Sequence, residues 1–183
     1  ETDLNETADA LVVKGERFEA VFSKEEGTLS AYTLNNIPLI SKGLELNLFR
    51  APTDNDKQVS GDWQRKGLYQ LQAETGKWET HQEEDRITLH IRNCHKGKLG
   101  FEYRTEMEYT VNADGSIMVN SVIMPVSDGE IIPRVGYRME LPEGFERMRW
   151  YGRGPWENYT DRKDATPIGV YESTVSVSYT HLT

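Results

Sequence analysis

From Phe101 to Ile123 apolar and polar side chains alternate. Phe101, Tyr103, Thr105, Met107, Tyr109 and Val111 share one parity, and Glu102, Arg104, Glu106 and Glu108 the other. Successive strand residues point to opposite faces, so this period of two predicts a long β-strand with one buried face and one charged face. Asn112-Ala113-Asp114-Gly115 supplies the residues of a four-residue turn, and Ile117, Val119, Ser121 and Ile123 are expected to answer on the return strand of a hairpin. Ile87, Leu89 and Ile91, alternating with Thr88, His90 and Arg92, predict a neighbouring strand. Near the start, residues 10–22 and Thr28–Leu34 read as strands around a Lys24-Glu25-Glu26-Gly27 turn, with Ile37-Pro38-Leu39-Ile40 following Asn35-Asn36, which makes a meander. Leu44–Arg50, Arg134–Leu141 and Glu146–Tyr151 are further expected strands. One helix is expected, Ser60 to Leu71, capped by Asp62, with Trp63, Leu68 and Leu71 on one side and Gly61 and Gly67 weakening it. One-sided charge implies antiparallel sheets covered on one face. The expected fold class is all-β, a large antiparallel β-sandwich.

Composition narrows the partners. A length of 183 residues suits one domain or a large piece of one. The net charge of −9, from 21 basic and 30 acidic side chains, argues against nucleic acid and anionic membrane surfaces as partners, and says little about a neutral ligand. Cys94 is the only cysteine, so neither an internal disulfide nor a cysteine-based zinc site is possible. No signal-peptide pattern and no bilayer-spanning apolar run is present in the sequence. Residues 1–9, opening Glu1-Thr2-Asp3-Leu4-Asn5, read as a linker entered from something upstream.

Two stretches are dense in candidate chemistry. Between Trp150 and Ala165, Gly152, Gly154 and Pro155 break regular structure. Tyr151, Trp156 and Tyr159 are interleaved there with Arg153, Glu157, Asn158, Asp161 and Arg162. Flat apolar faces among planar polar groups suit a sugar, whose ring has a C–H face and a hydroxyl rim. The alternative, which chemistry alone favours, is a polar loop whose own groups satisfy each other. The second stretch runs from Leu44 to Asp56, where an apolar strand ends at Arg50, Pro52 holds Ala51 extended, and Asp54-Asn55-Asp56 forms an acidic turn. That turn offers oxygen acceptors for a cation or for hydroxyls, or else caps the nearby helix. Gln58 and Val59 stand where a calcium loop would need a ligand and a glycine, so no metal site is expected.

Other catalytic patterns are missing. Glu157 occupies the third glycine position of a dinucleotide loop, the four histidines lack metal-ligand spacing, and there is no nucleophile elbow. Asp54 with Asp56, or Glu157 with Asp161, could lie about 5–10 Å apart as glycosidase carboxylates do, but so could many exposed acidic pairs.

The two stretches carry a resemblance. Phe49-Arg50-Ala51-Pro52-Thr53-Asp54-Asn55-Asp56 resembles the signature opening the C-terminal domain of bacterial β-galactosidases of glycoside hydrolase family 2. Gly152-Arg153-Gly154-Pro155-Trp156-Glu157-Asn158-Tyr159-Thr160-Asp161-Arg162 resembles that domain's second signature, and Pro133-Arg134-Val135-Gly136 with Leu141-Pro142 fits the pattern between them. The resemblance covers about Leu11 to Tyr171. It implies a galactose-mutarotase-like sandwich over residues 10–172, packed beside a TIM barrel that carries both catalytic glutamates. The parent reaction would be retaining hydrolysis of terminal β-D-galactosides such as lactose, in the bacterial cytoplasm, by a homo-oligomer. This segment would then hold no catalytic residue, and the magnesium and sodium of the parent enzymes would belong to other domains. Arg50, Asp54, Asn55, Asp56, Arg153, Trp156, Glu157, Asn158, Tyr159, Asp161 and Arg162 are expected to face the barrel or the sugar pocket. Residues 173–183 do not read as family sequence. A sandwich ending here is expected to expose unpaired edges, and so to be poorly stable or to associate.

Overall fold

The early alternation folds as a meander. Strands β1 (Asp3–Glu6), β2 (Ala10–Lys14), β3 (Phe18–Ser23), β4 (Thr28–Leu34) and β5 (Ile37–Pro38) pair antiparallel in chain order. The computed structural model describes residues 2–126, 129, 131–156, 158 and 163–180. Strand β1 lies in the stretch expected to be a linker; it pairs with β2, placing Leu4 opposite Val13. After β6 (Lys42–Asn47) comes the helix α1 (Ser60–Lys66). It is shorter than expected because Gly67 turns left-handed at φ 70° and ends it. Asp62 is not its cap: Val59 holds that position, and Asp62 sits inside the first turn, pairing with Arg65 at 3.0 Å and Lys66 at 2.7 Å.

Strands β7 (Gln72–Gln82), β8 (Arg86–Lys96), β9 (Glu102–Asn112) and β10 (Ile117–Pro125) form a second antiparallel sheet in the order β10-β9-β8-β7. The β9–β10 hairpin has the expected register, with Ile117 opposite Val111 and Ile123 opposite Thr105. Every residue expected on the inner face of β9 is buried, as are Ile87, Leu89 and Ile91 of β8. Ile87, Leu89, Ile91, Met107, Tyr109 and Val111 pack on Leu11, Val13, Phe18, Ala20, Phe22 and Leu29 of the meander as one core, the two layers of a β-sandwich. Phe22 meets Tyr109 edge-on at 5.1 Å, and the buried Tyr109 hydroxyl shares a 3.0 Å hydrogen bond with Thr28. A satellite core joins Leu46, Leu48, Trp63, Leu68, Phe101 and Tyr103.

The return strand departs from expectation. Ile117 and Ile123 are half-buried, but Val119 (40% exposed) and Ser121 are open to solvent. β10 is the edge of its sheet, and its contact with the neighbouring layer is partial, Ser121 reaching the Tyr137 hydroxyl at 2.6 Å. An apolar groove of about 740 Å³ separates Ile117 and Val119 from Leu29, Leu34 and Ile40. Strand β11 (Gly136–Glu140) pairs with β6 across a bulge.

Residues up to Leu141 form one compact unit, and those from Pro142 a second. The second contains β12 (Arg147–Arg153) paired antiparallel with β13 (Ile168–Thr174), followed by α2 (Val175–Thr180). No helix among the described residues is long and apolar enough to cross a membrane.

Candidate functional site

The first signature loop is closed on itself. As the strand ends, the Arg50 guanidinium meets the Asp56 carboxylate through both terminal nitrogens, Nη1 to Oδ2 at 2.6 Å and Nη2 to Oδ1 at 3.2 Å. Nη1 also donates to the Ala51 carbonyl at 3.1 Å. The Thr53 backbone N–H and hydroxyl donate to the same Asp56 oxygen at 2.7 and 2.8 Å. Arg50 lies 5.8 Å over the ring of Trp63, whose Nε1 donates to the Ile131 carbonyl. The guanidinium first, then the Thr53 backbone N–H, hold the Asp56 carboxyl well below the usual carboxylate range. Its stabilising contribution is therefore complete above the ordinary value near pH ~4 and is lost as pH falls further.

The Asp54–Asp56 pair is not an acid/base dyad. Asp56 is committed to Arg50 and Thr53, whereas Asp54 is 94% exposed and pairs with Lys57. Asn55 is also exposed. The turn does not cap the nearby helix, whose N-cap is Val59; instead Thr53 and Asp56 close the short 3-10 turn Asp54–Asp56 itself. Among the described residues no group of three or more His, Cys, Asp or Glu side chains gathers.

The second signature lies in the second unit. Gly154 is buried against Tyr171, where an added Cβ would come within 2.7 Å of the ring. Tyr171 in turn stacks on Trp150 at 5.6 Å. Arg153 donates Nη1 to the carbonyls of Lys163 (2.7 Å) and Thr166 (3.0 Å), tying the two ends of the loop together. Thr166 is buried; its hydroxyl donates to the Lys163 carbonyl at 3.0 Å and lies 3.5 Å from Asn158 Oδ1. The aromatic groups behave differently: Tyr151 is 79% and Trp156 69% exposed. Glu157, Tyr159, Asp161 and Arg162 lie outside the described residues, so the expected Glu157–Asp161 pair does too. Arg50 and Asp56 are thus brought together within the first unit, and Arg153 is brought to the Lys163–Thr166 turn within the second.

Sequence reasoning missed one polar cluster. The inward row of β8 runs on from Ile87, Leu89 and Ile91 into Asn93 and His95, both buried. Opposite them Thr105, fully buried, bonds His95 Nε2 at 2.9 Å. Burial pushes the imidazole down to about 4. The same alternation that identified the strand would have exposed this cluster, had it been followed two more inward positions.

The fold is an antiparallel β-sandwich in which Arg50 and Arg153 each tie down irregular backbone. The chain belongs to the β-galactosidase small-chain family, whose profile matches residues 14–183, a span that takes in residues 173–183. It is 29% identical over 170 residues to a protein named β-galactosidase from Vibrio cholerae, covering 87% of this chain and 17% of that protein. A β-galactosidase from Clostridium acetobutylicum is 31% identical over 166 residues, covering 88% and 18%. One from Priestia megaterium is 27% identical over 182 residues, covering 97% and 17%. The chain therefore spans about a sixth of the length of these curated relatives.

Proposed function

We propose that this chain is a segment of a larger β-galactosidase that hydrolyses terminal non-reducing β-D-galactose residues of galactosides such as lactose. Catalytic groups come from a barrel outside the chain, and the segment supplies scaffold and part of the pocket wall. The observation that carries this reading is the family match over residues 14–183, together with relatives named β-galactosidase of which the chain covers 17%. The Arg50 loop supports a scaffold role, since its guanidinium is committed to Asp56 and the Ala51 carbonyl, and Arg153 likewise spends Nη1 on two main-chain carbonyls. On the same reading the magnesium and sodium of the parent belong to its other domains. The sandwich packs on the barrel, the parent is a homo-oligomer, and it works in the bacterial cytoplasm. The test is to express the longest natural open frame containing this segment, and the 183-residue chain alone, and assay both on o-nitrophenyl β-D-galactoside. Activity is expected from the long frame only. A long frame without activity, or a frame bounded by this chain's own ends, overturns the reading.

The exposure of Tyr151 and Trp156 favours a second reading, a carbohydrate-binding module with an aromatic platform. Galactose-dependent quenching of tryptophan emission that disappears in Trp156→Ala is its expected sign, and no response at high sugar counts against it.

A further inference from the structure

Four side chains from four strands form one hydrogen-bonded row. His95 Nε2 on β8 bonds the Thr105 hydroxyl on β9 at 2.9 Å, the Tyr137 hydroxyl on β11 bonds Thr105 in turn, and Ser121 on β10 bonds Tyr137 at 2.6 Å. Exposure rises along the row, from His95 and Thr105 in the core through half-buried Tyr137 to Ser121 in solvent. Tyr137 comes from outside the main sheet, since the strand that carries it, β11, pairs with β6 in a sheet of two. Each hydroxyl has one hydrogen to donate, so the bonds of the row run in a common direction. A neutral imidazole suits either direction. A protonated one donates at both nitrogens, so Thr105 must accept from Nε2 and every hydroxyl must then donate outward. The second N–H of that cation, at Nδ1, finds no acceptor among the described residues.

Nothing around the imidazole compensates a charge. His95 lines a cavity of about 600 Å³, and the charged and titratable groups lining it with His95 are Glu25 and Glu26 of the β3–β4 turn, Lys42 and Glu45 of β6, Tyr69, and Tyr137 and Arg138 of β11. Tyr103 stands opposite His95 on β9. Glu45 is already committed to Lys42 Nζ at 2.8 Å and Arg138 Nε at 2.8 Å, and Glu25 and Glu26 are exposed. A buried charge left unpaired is costly, and the cost is relieved by letting water in. β11 is the inexpensive way in. It is five residues long, its ladder with β6 is interrupted by a bulge, and its Arg138–Glu45 ion pair is largely solvent-exposed. Lifting it removes Tyr137 and Arg138 from the cavity lining and leaves the apolar core of β8 and β9 packed. We propose that the His95–Thr105–Tyr137–Ser121 row is an acid-sensitive latch, in which uptake of a solvent proton by His95 releases β11 from the main sheet while the sandwich stays folded. The sign follows from burial. The open form takes its proton at the ordinary value of 6.5 and the closed form only at about 4, so opening is favoured as pH falls between them.

The test is amide hydrogen exchange on the 183-residue chain, with each rate normalised to its intrinsic value at the same pH. Between pH ~7 and pH ~5 the amides of the β6–β11 ladder are expected to lose protection by about tenfold, while those of β8 and β9 keep theirs. His95→Gln, which keeps a polar partner for Thr105 and cannot titrate, is expected to abolish that loss. Tyr137→Phe keeps the ring and removes the hydroxyl that joins β11 to Thr105 and Ser121. It is expected to raise exchange of the ladder about tenfold already at pH ~7, and to move the His95 imidazole titration, followed by its ring resonances, toward the ordinary value. Equal loss of protection in the ladder and in β8 and β9 would mean global loosening and overturns the proposal. So does a pH response that survives in His95→Gln, or a Tyr137→Phe chain whose ladder exchanges as the native one does.

Discussion

A single buried imidazole gives this chain a pH-dependent stability. Desolvation holds His95 at about 4, against an ordinary value of 6.5. Between those values the unfolded chain binds a proton that the folded chain refuses, so stability rises with pH across this window and is lost as pH falls from 6.5 toward 4. A shift of this size corresponds to on the order of 3 kcal/mol when fully expressed. Urea unfolding midpoints measured at several pH values should therefore fall across that window, and His95→Gln, which keeps a polar partner for Thr105 but cannot titrate, should flatten the fall. A slope that survives in the variant would assign the effect elsewhere. Other residue-scale features were less legible. Arg153 was visible as a candidate, but its partners are the main-chain carbonyls of Lys163 and Thr166, 10 and 13 residues away. A carbonyl has no side-chain signature, so its role as a clamp emerges only from the folded loop. Asp56 could be read either way, and only the folded loop shows its carboxylate held by Arg50 and Thr53.

At the scale of elements, the β9–β10 hairpin depends on its tip. Gly115 has φ +90°, a conformation side-chain-bearing residues rarely adopt, and an added Cβ would stand 2.9 Å from the Phe18 ring and 3.0 Å from the Tyr32 hydroxyl. That hydroxyl donates to the Gly115 carbonyl, so the turn is fastened to the opposite sheet as well as to its own strands. Gly115→Ala is expected to lower stability by about 1–3 kcal/mol through backbone strain alone. A lower denaturant midpoint with an unchanged slope would bear this out, and an unshifted midpoint would contradict it. The two inner strands were readable in sequence because burial on one face imposes a period of two on side-chain type. The helix was read too long because Trp63, Leu68 and Leu71 continue an apolar stripe past its end, although only Gly67 in the left-handed region decides where the backbone leaves the helix. The face of β10 was misread for a different reason. Alternation reports which side chains share a face, but whether another layer covers that face depends on distant strands.

At the scale of the molecule, β10 is where association is expected. Edge strands usually carry charge that discourages pairing with another chain. β1 presents Asp3 and Glu6, and the opposite edge of the second sheet, β7, presents Glu74, Lys77 and Glu79. The nine residues of β10, Ile117-Met118-Val119-Asn120-Ser121-Val122-Ile123-Met124-Pro125, include no charged side chain, and Met118, Val119 and Val122 are exposed. The net charge of −9 opposes self-association. Salt screens that repulsion over about 8 Å at physiological ionic strength, while leaving backbone pairing and apolar contact intact. Association of the 183-residue chain should therefore increase with both protein and salt concentration, the reverse of what a complementary charged interface would do. Val122→Lys places a charge at a 56% exposed site on this strand. It is expected to return the chain to monomer while changing folding stability by no more than about 0.5 kcal/mol. Sedimentation velocity over a concentration series at low and high salt separates the possibilities. A single monomer boundary throughout would contradict the expectation. Association that persists in Val122→Lys would move the contact to the exposed Tyr151, Ile168 and Val170 face of the second unit.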